Sequence, residues 1–420
     1  MKSLRARFPA LRSPDYNWFL SGSAISFAGD WMDWVALNWL VLELTNSPFA
    51  MGVYNFFRSA PTLLLTLPGG LVADRYGRRR IMIVNQIGAM CLTGLLAAFV
   101  VLHRETFWLV IAVTTFRGAF ISLDRPARQA LVPNLVPATA ITNAVALFAT
   151  FRNASRIVGP AVGGIILGLW GVKVCLLVNS LSYLPVFGAL LMIRERSHPP
   201  RGPQTIRHGV AEAVGYLRAR PTILVLVTLA IVPIFFGQPY TTLVPIFARD
   251  LLHVGATGLG FLLSAAAAGA VLGALSVALW GEHSARGRVL LVSIFLFGLS
   301  LVSFSFSRRF PLSLFLLFAA GLLNQVYGTL NLTLLHGAIP DALRGRIMSL
   351  YSLNRGLMPL GAVCLGSLAS LVGPSLALAS MAGMCMLLAL ALAIGSPGLA
   401  HLKGAYVSPE EAASLPEAPP

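Results

Sequence analysis

Twelve blocks of mostly apolar residues constrain this 420-residue chain more than any other feature. A helix needs about 20 such residues to cross ~30 Å of hydrocarbon. Water is absent there, so every backbone N–H and C=O must be satisfied within the protein, and helices do this within one segment. The blocks lie at about 17–43, 49–74, 80–102, 106–127, 139–168 and 171–193, then at about 221–248, 256–280, 288–306, 311–337, 346–371 and 374–396. A soluble domain carries about 25% charged residues. Here 11% are charged and 56% hydrophobic, which excludes soluble and disordered classes. The predicted fold is an all-α polytopic membrane protein with twelve transmembrane helices in two pseudo-symmetric six-helix bundles. Its parts are a segment 1–16, a bundle 17–193, a central loop 194–220, a second bundle 221–396 and a tail 397–420.

Charge gives the expected orientation. The formal net charge is +16, from 31 Lys and Arg against 15 Asp and Glu. In a soluble chain this would suggest nucleic acid, but membrane proteins concentrate Lys and Arg in their cytoplasmic loops. With the N-terminus inside, 21 of these cations fall in inside segments, including Arg125 and Arg128 after span 4, and five fall outside. Both termini are therefore expected in the cytoplasm, with the first span as the insertion signal. In the central loop, Ile206, Val210, Val214 and Leu217 recur at helical spacing, opposite Arg207, His208, Glu212 and Arg218. That pattern predicts a short amphipathic helix on the inner membrane surface. The proline-rich tail predicts disorder. Cys91, Cys175, Cys364 and Cys385 sit singly in apolar blocks and read as small core residues.

Charges inside a span are costly and mark functional candidates. Asp30 and Asp33 are the carboxylates that the sequence places deep in a span, and Asp30 lies about 20 Å along the first one. Spacing i, i+3 puts both on one face. A buried carboxylate poised near neutral pH can take up and release a proton, so both are candidates for proton coupling, Asp30 ahead of Asp33. Arg58, Arg117, Arg152, Arg156 and Arg355 also fall within spans. Arginines stay charged, and five against two carboxylates predicts an excess of positive charge that suits an anionic substrate.

The two halves resemble each other. Arg152 and Arg355 occupy matching positions after the span-4 and span-10 loops. Asp74 with Arg78, Arg79 and Arg80 is paralleled by Glu282 with Arg286 and Arg288. A six-span repeat points to a transporter with its site between the halves.

Two motifs carry a resemblance. Gly70-Leu71-Val72-Ala73-Asp74-Arg75-Tyr76-Gly77-Arg78-Arg79 follows span 2, and Gly159-Pro160-Ala161-Val162-Gly163-Gly164 lies in span 5. Small residues allow helices to approach closely, and proline bends them. With these motifs the chain resembles the major facilitator superfamily. The first matches that family's cytoplasmic gate motif at Gly70, Asp74, Arg75, Gly77, Arg78 and Arg79, with Val72 in place of Leu. The second matches the antiporter motif at Gly159, Pro160, Gly163 and Gly164. Arg117 falls where antiporters of the family carry an intramembrane arginine. Further stretches are similar to the branch that holds the enterobactin exporter and macrolide efflux proteins. These are Gly29-Asp30-Trp31, Pro126-Ala127-Arg128-Gln129-Ala130-Leu131-Val132-Pro133 and Leu343-Arg344-Gly345-Arg346. The resemblance implies a multi-pass protein of the bacterial cytoplasmic membrane that works by alternating access and exports its substrate against protons.

Trp31, Trp34, Tyr54, Phe57, Phe236, Tyr240 and Tyr327, with Arg58, are candidates for lining a substrate cavity, since aromatic walls suit large, partly apolar compounds. Neither GxxxxGK[ST] nor HExxH occurs, so neither ATP nor a catalytic metal is expected. The chain reads as no enzyme and as needing no cofactor or metal. Its expected partners are a small-molecule substrate, protons and membrane lipids, with no nucleic acid, and the protein is expected to be a monomer. The expected function is proton-coupled export of a small amphiphilic compound such as a drug, a macrolide-like metabolite or a siderophore. A flippase for a lysophospholipid-like anion, an importer and a non-transporting sensor stand as alternatives.

Overall fold

The computed structural model describes residues 8–193, 221–279, 286–339 and 353–396, with Met348 and Tyr351 between. Side chains at 63, 66–76, 125, 221–222, 353 and 355 are outside that description. So are the central-loop helix, the tail and Glu282, together with the side chains of Asp74, Arg75 and Arg355. Every regular element among the described residues is helical.

The first six spans form helices α1 (Pro14–Thr45), α2 (Pro48–Tyr76), α3 (Arg78–Val101), α4 (Phe107–Leu131), α5 (Ile141–Ser182) and α6 (Leu184–Met192). In the second half follow α7 (Pro221–Val232), α8 (Tyr240–Ile246), α9 (Gly255–Leu279), α10 (Arg286–Phe306), α11 (Phe310–Ala338), α12 (Leu357–Val372) and α13 (Pro374–Gly395). Eight helical runs among the described residues are long and apolar enough to cross a membrane. Their positions are consistent with twelve spans, because α5 holds the end of one span and the start of the next. The two are separated at Gly171, whose φ of 78° only glycine adopts freely.

Local chemistry sets the ends. Ser47 and Thr106 accept the amides of Ala50 and Leu109, capping α2 and α4. Asn46, at φ 47°, closes α1 in the left-handed conformation. The expected span 221–248 is not one continuous α-helix. Pro233, Pro239 and Pro245 each remove a backbone donor, and π-turns at Pro233–Gly237 and Phe247–Leu251 absorb the mismatch.

The chain divides into two compact units. The first comprises 1–202, 241–267 and 362–370; the second comprises 203–240, 268–361 and 371–420. Unit 1 packs α1 against α5 and α2 against α4. At one end lies a core of Tyr16, Phe19, Met82, Leu131 and Phe148. In unit 2, Leu226, Leu290, Ile294, Leu330 and Leu335 form the core where α10 and α11 pack together, and Asn331 donates to the Leu226 carbonyl at 2.9 Å.

Large apolar side chains such as Trp18, Leu64, Leu102, Trp108, Leu169, Trp170 and Leu371 are exposed. Lipid solvates them, so they need no protein cover. Exposure also corrects the reading of the cysteines: Cys175 and Cys385 are buried, but Cys91 and Cys364 are exposed.

Candidate functional site

In the middle of unit 1, α1 presents Asp30 and Asp33 to Arg58 of α2 and Arg117 of α4. Asp33 is completely buried. Its Oδ2 accepts from Arg58 Nη1 and Nη2 at 3.2 and 3.1 Å, and its Oδ1 accepts from Arg117 Nη1 at 2.6 Å. A carboxylate with three charge-assisted donors is a fixed anion. Arg58 also donates to the Tyr54 hydroxyl at 2.9 Å, and Arg117 lies 3.5 Å from the Thr93 hydroxyl.

Asp30 is held differently. It accepts the Tyr183 hydroxyl at 2.6 Å, and Arg117 Nη2 stands 3.6 Å from the same oxygen. The Asp30 side chain is 30% exposed, against 0% for Asp33. Arg117 Nη2 is buried with no hydrogen-bond partner. One carboxylate is locked, and its neighbour one turn away is open at one edge and loosely paired.

These contacts correct the expected charge excess at this level, because two arginines and two aspartates close on one another. The end of span 4 also differs from the sequence expectation. α4 continues past Pro126, and Arg128 is a buried member of it rather than a loop arginine. Arg128 pairs with Asp124, donates to Ser23 Oγ at 3.0 Å and stacks 5.1 Å over Phe27. Asp124 is thus a further buried carboxylate within a helix, and it also accepts from Gln86 at 3.1 Å. Tyr183 and Thr93 join the cluster without any signal in the sequence, since a hydroxyl in an apolar run is common.

The antiporter-type stretch divides between two faces of α5. Ser155, Gly159 and Gly163 form a stripe on α1. Ser155 Oγ donates to the Ala24 carbonyl at 3.0 Å, and any Cβ on Gly159 or Gly163 would meet Ala28 and Trp31, or the Met32 Cα at 2.7 Å. The other face, Pro160 and Gly164, meets α9. A Cβ on Gly164 would lie 2.8 Å from both the Gly260 Cα and the Ala256 carbonyl, and Thr257 donates to the Gly164 carbonyl at 3.3 Å. Backbone atoms cannot yield as flexible side chains do, so Gly164→Val forces α5 and α9 apart at a cost of about 1–3 kcal/mol. Disulfide trapping between Gly168→Cys and Thr257→Cys reads this directly. Crosslinking is expected to fall several-fold in the Gly164→Val background, and an unchanged rate would show that the close approach is not required.

In the gate motif, Gly77 turns the chain between α2 and α3 at φ 81°. Arg78 donates to the Ala130 carbonyl at 2.9 Å, and Arg79 to the Leu190 and Leu191 carbonyls at 2.6 and 3.0 Å. Both guanidiniums thus satisfy carbonyls left over at the C-terminal ends of α4 and α6, where positive charge is favourable. The backbones of Gly70, Asp74 and Arg75 belong to α2.

The candidate cavity aromatics are scattered in character. Tyr54, Tyr240 and Tyr327 are buried, Phe57 is exposed, and Trp31, Trp34 and Phe236 are partly exposed. Arg152 and Arg156 of α5 are exposed, and the Arg156 guanidinium lies 5.7 Å over the Trp31 ring.

Residues 6–413 match the family model described as transmembrane secretion effector. The staphyloferrin A transporter of Staphylococcus aureus is 24% identical over 359 residues, covering 85% of this chain and 90% of that protein. Macrolide efflux protein A of Streptococcus pyogenes is 24% identical over 369 residues, covering 84% and 89%. Among solved structures, a mutant of the nucleoside transporter NupG superposes with a TM-score of 0.74 at 13% identity, covering 90% of this chain and 99% of that one.

Proposed function

The chain belongs to the transmembrane secretion effector family of major facilitator transporters, and from its charged cluster we propose that it is a proton antiporter exporting a small amphiphilic organic compound. The observation that carries this reading is the asymmetry of the two aspartates. Asp33 is enclosed by two arginines and serves as a fixed counter-ion. Asp30 has an exposed edge, a single short hydrogen bond and a loose ion pair. It can gain a proton while Arg117 keeps its 2.6 Å contact with Asp33, and the two arginines then share that one carboxylate.

Protonated Asp30 no longer attracts Arg117, whose Nη2 is then free to turn toward another acceptor. That shift is the local event that biases the two halves between inward-open and outward-open states. Proton entry from outside and loss to the cytoplasm drive the return, and substrate leaves in the opposite direction. A proton moving through 100 mV supplies about 2.3 kcal/mol, roughly a 50-fold concentration ratio.

The Lys and Arg bias supports an orientation with both termini in the cytoplasm, and the bacterial relatives support a cytoplasmic-membrane location. The names of those relatives, a staphyloferrin A transporter and a macrolide efflux protein, support an amphiphilic organic substrate.

The test is proton flux in inverted membrane vesicles with a pH-sensitive dye, screened over drugs, siderophores and lysolipids. A substrate-triggered release of protons from an acidified lumen is expected. Substrate accumulation without proton movement would overturn the coupling.

A further inference from the structure

The mechanism above makes no use of Arg152 and Arg156. They stand one turn apart on α5, both exposed, and no carboxylate of the described residues lies within ion-pairing distance of either. Arg156 lies over Trp31, close to the midpoint of α1, and its neighbours Ser155 and Gly159 bind it to the α1 crossing at Ala24 and Ala28. An exposed guanidinium at mid-span is too costly to face lipid, so it faces water. This water-facing patch carries two uncompensated cations and an indole.

The carboxylate beside it is already engaged, since Asp30 is bound by Tyr183 and faces Arg117. A cationic drug finds no unclaimed anion here, whereas an anion finds two guanidiniums one turn apart on α5, the group that suits oxyanions. We propose that Arg152, Arg156 and Trp31 form the substrate-recognition patch and that the transported compound is an oxyanion, a carboxylate or a phosphate ester, on an apolar body that packs on the indole. This rests on the export reading and names its substrate class. An anion here and a proton on Asp30 attract each other, so the patch sets substrate choice, and the exchange rests on Arg117 and the change of state.

The experiment uses the purified full chain and probes that share one naphthyl-alkyl body and end in a carboxylate, a phosphate monoester, a neutral amide or an ammonium group. Quenching of tryptophan fluorescence reads binding, and the inverted-vesicle assay reads transport. Both oxyanion probes are expected to bind at least tenfold tighter than the other two. The stronger of them separates a free carboxylate metabolite from a lipid-like phosphate, and either preference supports the site. Arg156→Gln is expected to weaken oxyanion binding about tenfold and leave amide binding unchanged, with partial recovery in Arg156→Lys. Because Arg156 is exposed, the melting temperature should not move. Equal binding of the ammonium probe, or an Arg156→Gln variant that binds oxyanions as wild type does, overturns the proposal. Oxyanion transport without proton release would leave the patch standing and remove the antiport reading. Proton release driven only by ammonium probes would do the opposite.

Discussion

Asp30→Asn is expected to abolish concentrative export while leaving a folded, substrate-binding protein. Asparagine keeps the shape of the side chain and an oxygen that can accept the Tyr183 hydroxyl, now 2.6 Å away. Arg117 keeps Asp33 at 2.6 Å, so no buried cation loses its main partner. What disappears is the ability to carry a proton. The expected loss is the full gradient contributed by one coupled proton, about 50-fold at 100 mV, together with substrate-triggered proton release. Downhill exchange of labelled for unlabelled substrate should persist, because binding and the change of state do not need net proton flow. Tyr183→Phe should give an intermediate result, since it removes one hydrogen bond and no charge. An Asp30→Asn transporter that still accumulates substrate uphill would place the proton elsewhere.

Which parts of this site can be read from the chain depends on whether the signal is local. Asp30, Asp33 and Arg117 stand out because a charge in an apolar run is costly wherever it packs. Their pairing is not readable. The four charged side chains come from three helices, and Tyr183 reaches Asp30 across 153 positions. The hydropathy pattern ends span 4 near 127, close to Pro126. α4 runs on with Pro126 inside it to Leu131, and the Asp124–Arg128 pair lies within that stretch. The shorter span makes Arg128 a loop residue and leaves Asp124 three residues from the span's end, where a carboxylate does not read as deep. The glycines of the span-5 motif are legible as close-packing residues. Their division between α1 and α9 follows from the i, i+4 stripes, but the facing stripe of Ala24, Ala28 and Met32 carries no motif of its own. The breaks after α7 have a visible cause in Pro233, Pro239 and Pro245, although a hydropathy pattern runs through them without interruption.

The largest stability effect is expected at Asp33. Asp33→Ala removes both oxygens of a completely buried side chain and leaves the Arg58 and Arg117 guanidiniums with only Tyr54, Thr93 and a distant Asp30. Arginine cannot shed its proton to relieve the strain. Removing one partner from a buried pair costs about 3–5 kcal/mol, because the remaining charge is left uncompensated. The variant should therefore melt far below wild type in detergent or fail to accumulate as folded protein. A double variant distinguishes charge imbalance from simple loss of packing. Asp33→Ala with Arg58→Leu removes one charge of each sign and fills the space, so it should be more stable than Asp33→Ala alone, a coupling that independent sites would not show. Asp33→Asn should lie between the two, since it keeps one acceptor. If Asp33→Ala melts with wild type, Asp33 is not the counter-ion that holds the arginines. The distinction between a fixed and a titrating aspartate would then fail with it, because that distinction depends on Asp33 being the charge that never leaves.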